Sequence, residues 1–322
     1  MDPPVASVVV PTHERPERLL RLLDALGAQS VPGGRFEVIV VHHGEPRTLA
    51  VLTSHPLAGD GMLRAVAVDP AHSGPSAKRN AGWREARAAT VIFTDDDCRP
   101  PARWLEQIVS AALENPGDVV QGATRPDPEE SWMLDRPGSK TLRVDPPSPW
   151  GQTANIAYPR ALLDRLDGFD ESFPNPGGED AELLHRALQQ GARHCAAPEA
   201  LTHHAVDVLD LAARIRVARR WGGAVLLVKR HGAFRRHAVL GIFWRARHAW
   251  LALALIGLTL GRRWRPALAL ALPYVVLTRP SDTWTPVARL RALRRLPATA
   301  LVDLVELLTL AEASVRYRTL LL

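Results

Sequence analysis

The sequence has little cysteine and no long apolar run, and each shortage removes a class of protein. Its 322 residues include only two cysteines, Cys98 and Cys195, which cannot form the framework of a disulfide-stapled secreted domain and suit a reducing cytoplasm. The longest charge-free stretches near the C-terminus, His248–Gly261 and Pro266–Thr278, hold 14 and 13 residues, whereas a membrane-spanning helix needs roughly 20. The run Val5–Val10 is too short for the core of a signal peptide, so we expect the chain to begin in the cytoplasm.

Acidic residues are scarce in the last third of the chain. Hydrophobic residues make up 46% and charged residues 23% of the sequence, which is the composition of a globular protein. The net charge of +6 is uneven, because residues 1–210 hold 20 Lys and Arg against 30 Asp and Glu, whereas residues 211–322 hold 20 against 4. This asymmetry indicates two parts with different partners, and we predict domains at 1–206 and 207–322.

Predicted strands and helices alternate along the first part of the chain. Leucines recur at helical spacing between Pro16 and Gly27, and further helices are predicted at Ala77–Ala88 and Ala102–Glu114. The alternation is typical of an α/β fold with a mostly parallel sheet, and such sheets bind ligands at the carboxyl ends of their strands. The predicted strands are Val5–Val10, Phe36–Val41, Leu63–Val68, Thr90–Thr94 and Asp118–Thr124, and, later in the chain, the shorter Arg193–Ala197 and Leu201–His204.

Three consecutive carboxylates, Asp95, Asp96 and Asp97, directly follow a predicted strand. Clustered carboxylates repel one another and raise one another's pKa unless a cation lies among them. Hard oxygen ligands suit Mg²⁺ or Mn²⁺. The triplet therefore predicts a divalent-metal site, although a solvated turn with helix-capping aspartates before Pro100 and Pro101 has the same composition.

Three weaker motifs each have a structural and a functional interpretation. Gly177-Gly178-Glu179-Asp180 is either a helix cap or a general base on a glycine hinge. The segment Gly74–Asn80 is a turn entering a helix with two cations, which can hold phosphates through backbone N–H groups and charge. His203 and His204 are either metal ligands or a satisfied pair at the end of a strand.

Five segments, in order along the chain, together share a pattern with a known family. They are Pro11-Thr12-His13-Glu14-Arg15-Pro16, Gly74 with Ala77-Lys78-Arg79-Asn80-Ala81-Gly82, Thr94-Asp95-Asp96-Asp97, Gly168-Phe169-Asp170-Glu171 and Gly178-Glu179-Asp180. Over the first two thirds of the chain, the sequence thereby resembles the family 2 glycosyltransferases of the GT-A fold. The resemblance implies an α/β protein with a Rossmann-like mixed sheet, and the helical pattern from Asp207 onward predicts a helical C-terminal extension. It also implies a metal-dependent inverting enzyme that moves a sugar from a nucleotide-diphosphate sugar to an acceptor hydroxyl.

The resemblance implies roles for individual residues. Asp95 would contact the ribose and Asp97 would bind the metal, Mg²⁺ or Mn²⁺, on the diphosphate. Asp180 of the Glu179-Asp180 pair would be the base that deprotonates the acceptor. A later histidine, His203 or His204, would complete the metal shell. The residues then expected to bind the donor are Pro11, Thr12, His13, Glu14, Arg15, His43, Lys78, Arg79, Asn80, Asp95 and Asp96.

The end of the second predicted strand departs from the family's pattern. The family commonly has two aspartates and a glycine there, and one aspartate helps to hold the nucleotide base. This chain reads Val40-Val41-His42-His43-Gly44-Glu45. His43 can still hydrogen-bond a base or a ribose, but its charge differs from that of an aspartate. The resemblance therefore does not assign the base.

The C-terminal part combines basic and aromatic residues. Residues 211–300 hold 18 Lys and Arg and one acidic residue, Asp282, a composition that fits nucleic acid or the headgroups of an anionic membrane. The runs Trp250–Leu260 and Ala267–Leu277 are too apolar for a nucleic-acid face, and the intervening Arg262-Arg263-Trp264-Arg265 suits a membrane surface. We expect a peripheral element on the inner face of the membrane and no nucleic-acid partner. The alternative is a soluble helical subdomain or a dimer interface.

Together these features predict a hexosyltransferase-type enzyme that acts on a glycan or lipid-linked acceptor of the cell envelope. Two other classes remain open: a non-catalytic sugar-nucleotide-binding or scaffold protein on the same fold, and a sugar-phosphate nucleotidyltransferase. The carboxylates of Asp95–Asp97 and Asp180 disfavour the first class. The absence of a Gly-x-Gly-x-x-Gly loop near the first predicted strand disfavours the second.

Overall fold

The computed structural model describes residues 3–31, 35–72, 74–173, 175–277 and 286–322, with side chains from residue 294 in the last range. The density of internal contacts divides the chain into two compact units. We name them unit 1, Met1–Val208, and unit 2, Leu209–Leu322.

Unit 1 contains a mixed β-sheet. Its strands are β1 Ala6–Pro11, β2 Phe36–His42, β3 Leu63–Ala67, β4 Thr90–Phe93, β5 Cys98–Arg99, β6 Val119–Pro126, β7 Ser139–Lys140, β8 Ile156–Pro159, β9 His194–His204 and β10 Asp207–Val208. Within the described residues, eight of them form one sheet in the order β3-β2-β1-β4-β8-β6-β9-β5, and β7 pairs with β10. The strands from β3 to β4 are parallel, whereas β8 runs antiparallel to both of its neighbours and β5 runs antiparallel to β9. The mixed sheet implied by the family resemblance is confirmed, and the expectation of a mostly parallel sheet is corrected at β8 and β5.

Four helices of unit 1 begin at a proline. Proline occupies the first turn of each, where its missing N–H has no helical partner to lose. The predicted strands Arg193–Ala197 and Leu201–His204 fall within the single strand β9. Short elements such as α2, α6 and β8 are not predicted by the sequence, because they are too short to show a clear hydrophobic period. The helices are α1 Pro16–Gly27, α2 Pro46–Ser54, α3 Pro56–Gly59, α4 Pro75–Arg84, α5 Trp104–Glu114, α6 Arg160–Leu166 and α7 Glu179–Gln189.

The central strand β1 is buried on both faces. Val8 and Val10 pack into one apolar cluster with Leu22 of α1, whereas Val9 packs into a second cluster with Trp83 of α4. Successive side chains of a strand point to opposite faces, so a strand covered on both sides reads as a continuous apolar run. This double cover holds α1 and α4 on opposite sides of β1 and leaves the polar residues that follow β1 at the edge of the sheet.

Unit 2 is helical and is held together partly by buried charge. Arg247 of α10 lies 3.0 Å from Asp303 and 2.9 Å from Glu306, both on α12. In the part of the chain that is described, no helix is long and apolar enough to cross a membrane. The helices of unit 2 are α8 Leu211–Ala218, α9 Gly222–Arg230, α10 Ala246–Leu260, α11 Leu272–Leu277 and α12 Pro286–Tyr317.

One stretch of unit 2, residues 255–277, exposes many large apolar side chains, and we call it the exposed apolar segment. Trp264 is 63% exposed and Leu277 is 60% exposed. The three arginines beside Trp264 are also exposed. Exposed large apolar side chains that lie together on a soluble protein are typical of an interaction site. Its other exposed members are Leu255, Ile256, Leu258, Leu260, Leu268, Leu272 and Val276.

A buried carboxylate, Glu37 of β2, ties the amino ends of neighbouring strands together. Its Oε1 accepts from the Ser7 hydroxyl at 2.6 Å and from the Arg87 backbone N–H at 2.7 Å, and its Oε2 accepts from Arg87 Nε at 2.7 Å. Burial by itself would raise the pKa of Glu37, but these hydrogen bonds hold it below its usual value.

Glu37→Gln is expected to lower the free energy of unfolding by about 2 kcal/mol at neutral pH, because it removes charge-assisted hydrogen bonds. A depressed pKa stabilises the fold above the pKa of the unfolded chain, and this contribution is lost as pH falls through the folded pKa. The difference between wild type and variant should therefore shrink as pH is lowered from about 7 to about 4 and below. Urea denaturation of both proteins at several pH values measures this difference in unfolding free energy. Glu85→Gln is the control, because Glu85 is an exposed partner of Arg64. If the loss of unfolding free energy in Glu37→Gln did not depend on pH, the assignment of a stabilising, ionised Glu37 would be contradicted.

Candidate active site

The segment that follows β1 meets the aspartate triplet that follows β4. The hydroxyl of Thr12 donates to Asp96 Oδ2 at 2.8 Å, and the backbone N–H of His13 donates to the same oxygen at 3.2 Å. Asp96 is buried, and burial together with repulsion from Asp97 raises its pKa to about 6. Asp96 therefore ties the two strand ends together.

Asp95, Asp97 and His204 are the group that the described residues offer as metal ligands. One ligand atom from each lies within 4.8 Å of the others. Asp97 Oδ1 is buried and accepts no hydrogen bond, and His204 Nε2 lies 3.4 Å from it. A buried carboxylate oxygen without a donor is costly unless a cation reaches it. The three residues therefore fit a hard divalent ion such as Mg²⁺ or Mn²⁺.

Only one of the two predicted histidines joins this group. Successive side chains of a strand point to opposite faces, so His203 and His204 of β9 face different surroundings. His204 faces Asp97. His203 lies in the electrostatic field of Asp127 and Arg99, and burial lowers its pKa. Of the two alternatives for the metal shell, the structure favours His204.

Arg15 brings positive charge to the triplet from the segment before α1. Its guanidinium contacts Asp97, and its Nη1 lies 3.5 Å from Asp96 Oδ1. Burial disfavours the charged guanidinium, but the two carboxylates outweigh burial and raise the pKa of Arg15. The preceding residue, Glu14, lies 3.8 Å from His43 Nε2 and has a left-handed φ of 54°.

Lys78, on α4, joins the ends of β1 and β2. Its Nζ donates to the carbonyl oxygen of Thr12 at 2.6 Å and lies 3.4 Å from His43 Nδ1. The rings of His13 and His43 lie 4.9 Å apart between centroids. Burial lowers the pKa of Lys78 and also that of His13. These groups, next to Pro11 at the end of β1, form a polar patch rich in donors, which suits phosphate or nucleoside oxygens.

Asn80, predicted to bind the donor, instead holds α4 to the segment before α7. Its amide nitrogen donates to the Phe169 carbonyl and to Glu171, and its oxygen accepts from Phe169 N–H and Trp83 Nε1. Both atoms of the amide are fully used, so none of its hydrogen-bonding capacity is left for a ligand. Gly168 has a φ of +66°, and a Cβ there would lie 2.3 Å from Asn80 Oδ1, so this contact requires glycine.

Arg79, the residue between Lys78 and Asn80, bridges the end of β4 and the start of α7. Its Nη2 donates to Asp95 Oδ1 at 3.2 Å, and its Nη1 donates to Glu179 Oε1 at 3.1 Å. The same Nη1 lies 3.4 Å from Asp180 Oδ1. Burial disfavours the charge of Arg79, but the three carboxylates outweigh burial and raise its pKa.

Glu179 and Asp180 have different surroundings. Glu179 is 2% exposed, and both of its oxygens are bonded, one to Arg79 and the other to the N–H of Gly177 at 2.7 Å. Asp180 has a partly exposed side chain and accepts from the N–H and the hydroxyl of Thr153, each at 3.2 Å. Burial, with repulsion from Glu179, raises the pKa of Asp180 to about 8.

Thr153 is a residue of the site that sequence reasoning did not single out. It lies in the irregular segment before β8, 27 positions before Asp180. A lone threonine in a connection rich in polar residues gives no local signal. Only the fold, which brings that segment beside α7, identifies its contact with the carboxylate.

Comparison with known proteins shows which family this sequence resembles. Residues 7–160 match the model of Glycosyl transferase family 2. A pre-mycofactocin glycosyltransferase of Mycobacterium tuberculosis is 30% identical over 275 residues, which cover 80% of this chain and 54% of that protein. Glycosyltransferase AglE of Haloferax volcanii is 30% identical over 120 residues, which cover 37% of this chain and 39% of that protein. The chain thus spans about half, or less, of the length of these relatives.

A solved structure supports the same fold. Mannosyltransferase PcManGT from Pyrobaculum calidifontis, in complex with GDP-Man and Mn²⁺, matches with a TM-score of 0.56 at 20% identity, over 99% of this chain and 88% of that one. The fold is that of the GT-A glycosyltransferases. Residues 7–160 are a glycosyl transferase family 2 domain, which confirms the resemblance carried by the motifs.

Asp97→Asn is expected to weaken Mn²⁺ binding by roughly tenfold or more, because it removes an anionic ligand. Titration calorimetry of Mn²⁺ into wild type and variant measures the loss. Asp118→Asn is the matched control, since Asp118 is also a buried aspartate but bonds Arg193 on another part of the sheet. Equal Mn²⁺ affinity in wild type and Asp97→Asn would contradict the proposed ligand.

Proposed function

We propose that this protein is a metal-dependent, inverting glycosyltransferase that moves a sugar from a nucleotide-diphosphate sugar to an acceptor hydroxyl. One observation carries the proposal: the guanidinium of Arg79 joins Asp95, a candidate metal ligand, to Asp180, a partly exposed carboxylate. A metal-binding group and a proton acceptor in one cluster are the two parts that such a transfer needs. The GDP-Man and Mn²⁺ bound to PcManGT support the donor class and the ion.

The donor half of the site provides positive charge and hydrogen-bond donors. Asp95, Asp97 and His204 would hold the ion, which would neutralise charge on the diphosphate leaving group. Arg15 and Lys78 add cationic groups at the same edge, where they can bind phosphate oxygens. These groups favour departure of the nucleoside diphosphate.

Asp180, rather than Glu179, would take the proton from the acceptor hydroxyl. Glu179 is buried and both of its oxygens are occupied, so its role is to fix the start of α7. Asp180 is partly exposed, and its raised pKa makes its ionised form a stronger base than an ordinary carboxylate. A base that activates the acceptor directly needs no covalent intermediate, and the anomeric configuration would invert.

We further propose that the acceptor is a lipid-linked or cell-envelope glycan presented at the inner face of an anionic membrane. Residues 211–322 hold 20 basic residues against 4 acidic ones, which attracts anionic headgroups. The exposed apolar segment offers side chains for shallow insertion, with Trp264 between exposed arginines at the depth of the headgroups. Electrostatic attraction and apolar insertion together favour a peripheral membrane protein.

Asp180→Asn should reduce turnover by about 10²- to 10⁴-fold while donor affinity stays nearly unchanged, because the amide cannot accept the proton. Release of nucleoside diphosphate from GDP-mannose and a set of UDP-sugars, with Mn²⁺, measures turnover, and calorimetry measures donor binding. Glu179→Gln is the comparison within the pair. Full turnover in Asp180→Asn with loss in Glu179→Gln would reverse the assignment. The absence of both donor binding and donor cleavage in wild type would reject the enzyme altogether.

Membrane binding should need both the charge and the exposed apolar segment of unit 2. Each basic residue near the surface contributes about 1 kcal/mol before screening, so sedimentation with phosphatidylglycerol vesicles should weaken as salt rises but persist. The double variant Leu258→Ser/Leu272→Ser should lose the fraction that resists salt. Leu113→Ser, at an exposed leucine of α5, is the control for a general loss of apolar surface. A wild-type protein that stays in the supernatant with both anionic and neutral vesicles would reject the membrane proposal.

A further inference from the structure

We infer that Arg79 is the positioning residue that holds the base Asp180 in register with the donor-binding carboxylate Asp95. This inference rests on the proposed function, because it assigns a role to the contact between the two halves of that site. The two carboxylates come from different elements, Asp95 from the segment after β4 and Asp180 from the start of α7. One side chain on a third element, α4, reaches both.

The shape of the guanidinium explains why the residue is an arginine. Nη2 points to Asp95, and Nη1 serves Glu179 and Asp180. Two nitrogens at a fixed spacing set the distance between two elements, whereas the single nitrogen of a lysine can satisfy only one of them at a time. Arg79 therefore acts as a rigid spacer within the site.

The balance of charge makes Arg79 hard to replace. In the described parts of the chain, the ion pairs of Asp95, Glu179 and Asp180 all end on this one guanidinium. Arg79 is only 6% exposed, and its Cζ lies 5.7 Å from the ring centroid of Phe169. Water therefore has little access to the space where it could solvate the three carboxylates in place of the guanidinium. Without the guanidinium, three carboxylates would face one another with no cation of the chain paired to them.

The same contact affects the protonation of the base. The titratable groups that face Asp180 are Glu179 on its own helix, Arg79 on α4, Asp95 after β4 and Tyr158 on β8. Among these groups, Arg79 is the one that lowers the pKa of Asp180, whereas Glu179 and Asp95 raise it. Loss of the guanidinium would therefore leave the base protonated up to a higher pH.

The first test separates geometry from charge with two substitutions. Arg79→Met should lower kcat by about 10²-fold. In the plot of kcat against pH, the acidic limb should move to higher pH by about 1 to 3 units. Arg79→Lys keeps the charge but not the fork, so kcat should fall by about tenfold while the limb stays near that of wild type. The dissociation constant of the donor should change less than kcat in both variants.

The matched control is Arg186→Lys with Arg186→Met. Arg186 is a half-buried arginine of α7 that bonds Glu182 and the carbonyls of Leu166 and Gly168, outside the cluster. If the substitutions only disturbed packing, the Arg79 and the Arg186 variants would both give less folded protein. The acidic limb of kcat against pH would then stay in place in all of them. An unshifted limb and wild-type kcat in Arg79→Met, with Asp180→Asn inactive, would overturn the inference and leave the proposed function intact.

A second test does not require turnover. Arg79→Met should lower the thermal denaturation midpoint of the full chain at neutral pH. Asp180→Asn placed in the same chain should restore part of the loss, because it removes one of the repelling charges. No recovery in the double variant would mean that Arg79 does not link the carboxylates electrostatically, and would reject the inference. If wild type neither binds nor cleaves any sugar nucleotide, the proposed function fails, and this rescue still decides whether Arg79 carries the electrostatic link.

Discussion

Repulsion between carboxylates is the constraint on which the candidate site depends. Five acidic side chains, from Asp95–Asp97 and from Glu179 and Asp180, meet at one edge of the sheet, and each needs a hydrogen-bond donor or a cation beside it. Asp96 accepts from Thr12 and the N–H of His13 and also lies near Arg15, Asp97 contacts Arg15, and the other three carboxylates share Arg79. A buried oxygen without a donor, Asp97 Oδ1, lies where the candidate metal ligands converge. Every carboxylate of the cluster thus has at least one contact to a donor or a cation, and one position remains open for an added cation.

Three consecutive residues of helix α4 point in different directions and contact different parts of the site. Consecutive residues of a helix are rotated by about 100° around its axis. Lys78 therefore reaches the ends of β1 and β2, Arg79 reaches β4 and α7, and Asn80 reaches the segment at Phe169. All three are buried although they are polar, which is why the helix has little amphipathic pattern. Packing of Val9 against Trp83 keeps this helix in place against the sheet.

The features that could be predicted from the sequence are those with a local cause. The apolar run of β1, the leucines of α1 and the triplet Asp95–Asp97 after β4 need only near neighbours in the chain. The direction of β8 and the contact of Thr153 depend on which distant segments become neighbours. Asn80 shows the same limit, because its motif suggested a ligand contact whereas the fold uses both atoms of its amide. Periodicity carries no information about such long-range pairing.

The irregular pairing of β6 with β9 decides which histidine reaches the candidate metal group. Gly122 is opposite Ala197 and Thr124 is opposite Thr202, so β9 uses five residues where β6 uses two. The surplus of three is odd, and an odd insertion exchanges the two faces of every residue beyond it. Loss of one residue from this bulge would turn His204 away and present its neighbour instead. The candidate site is therefore sensitive to the length of a segment that contributes no candidate ligand, and an insertion or deletion there would change the candidate metal group as a substitution would.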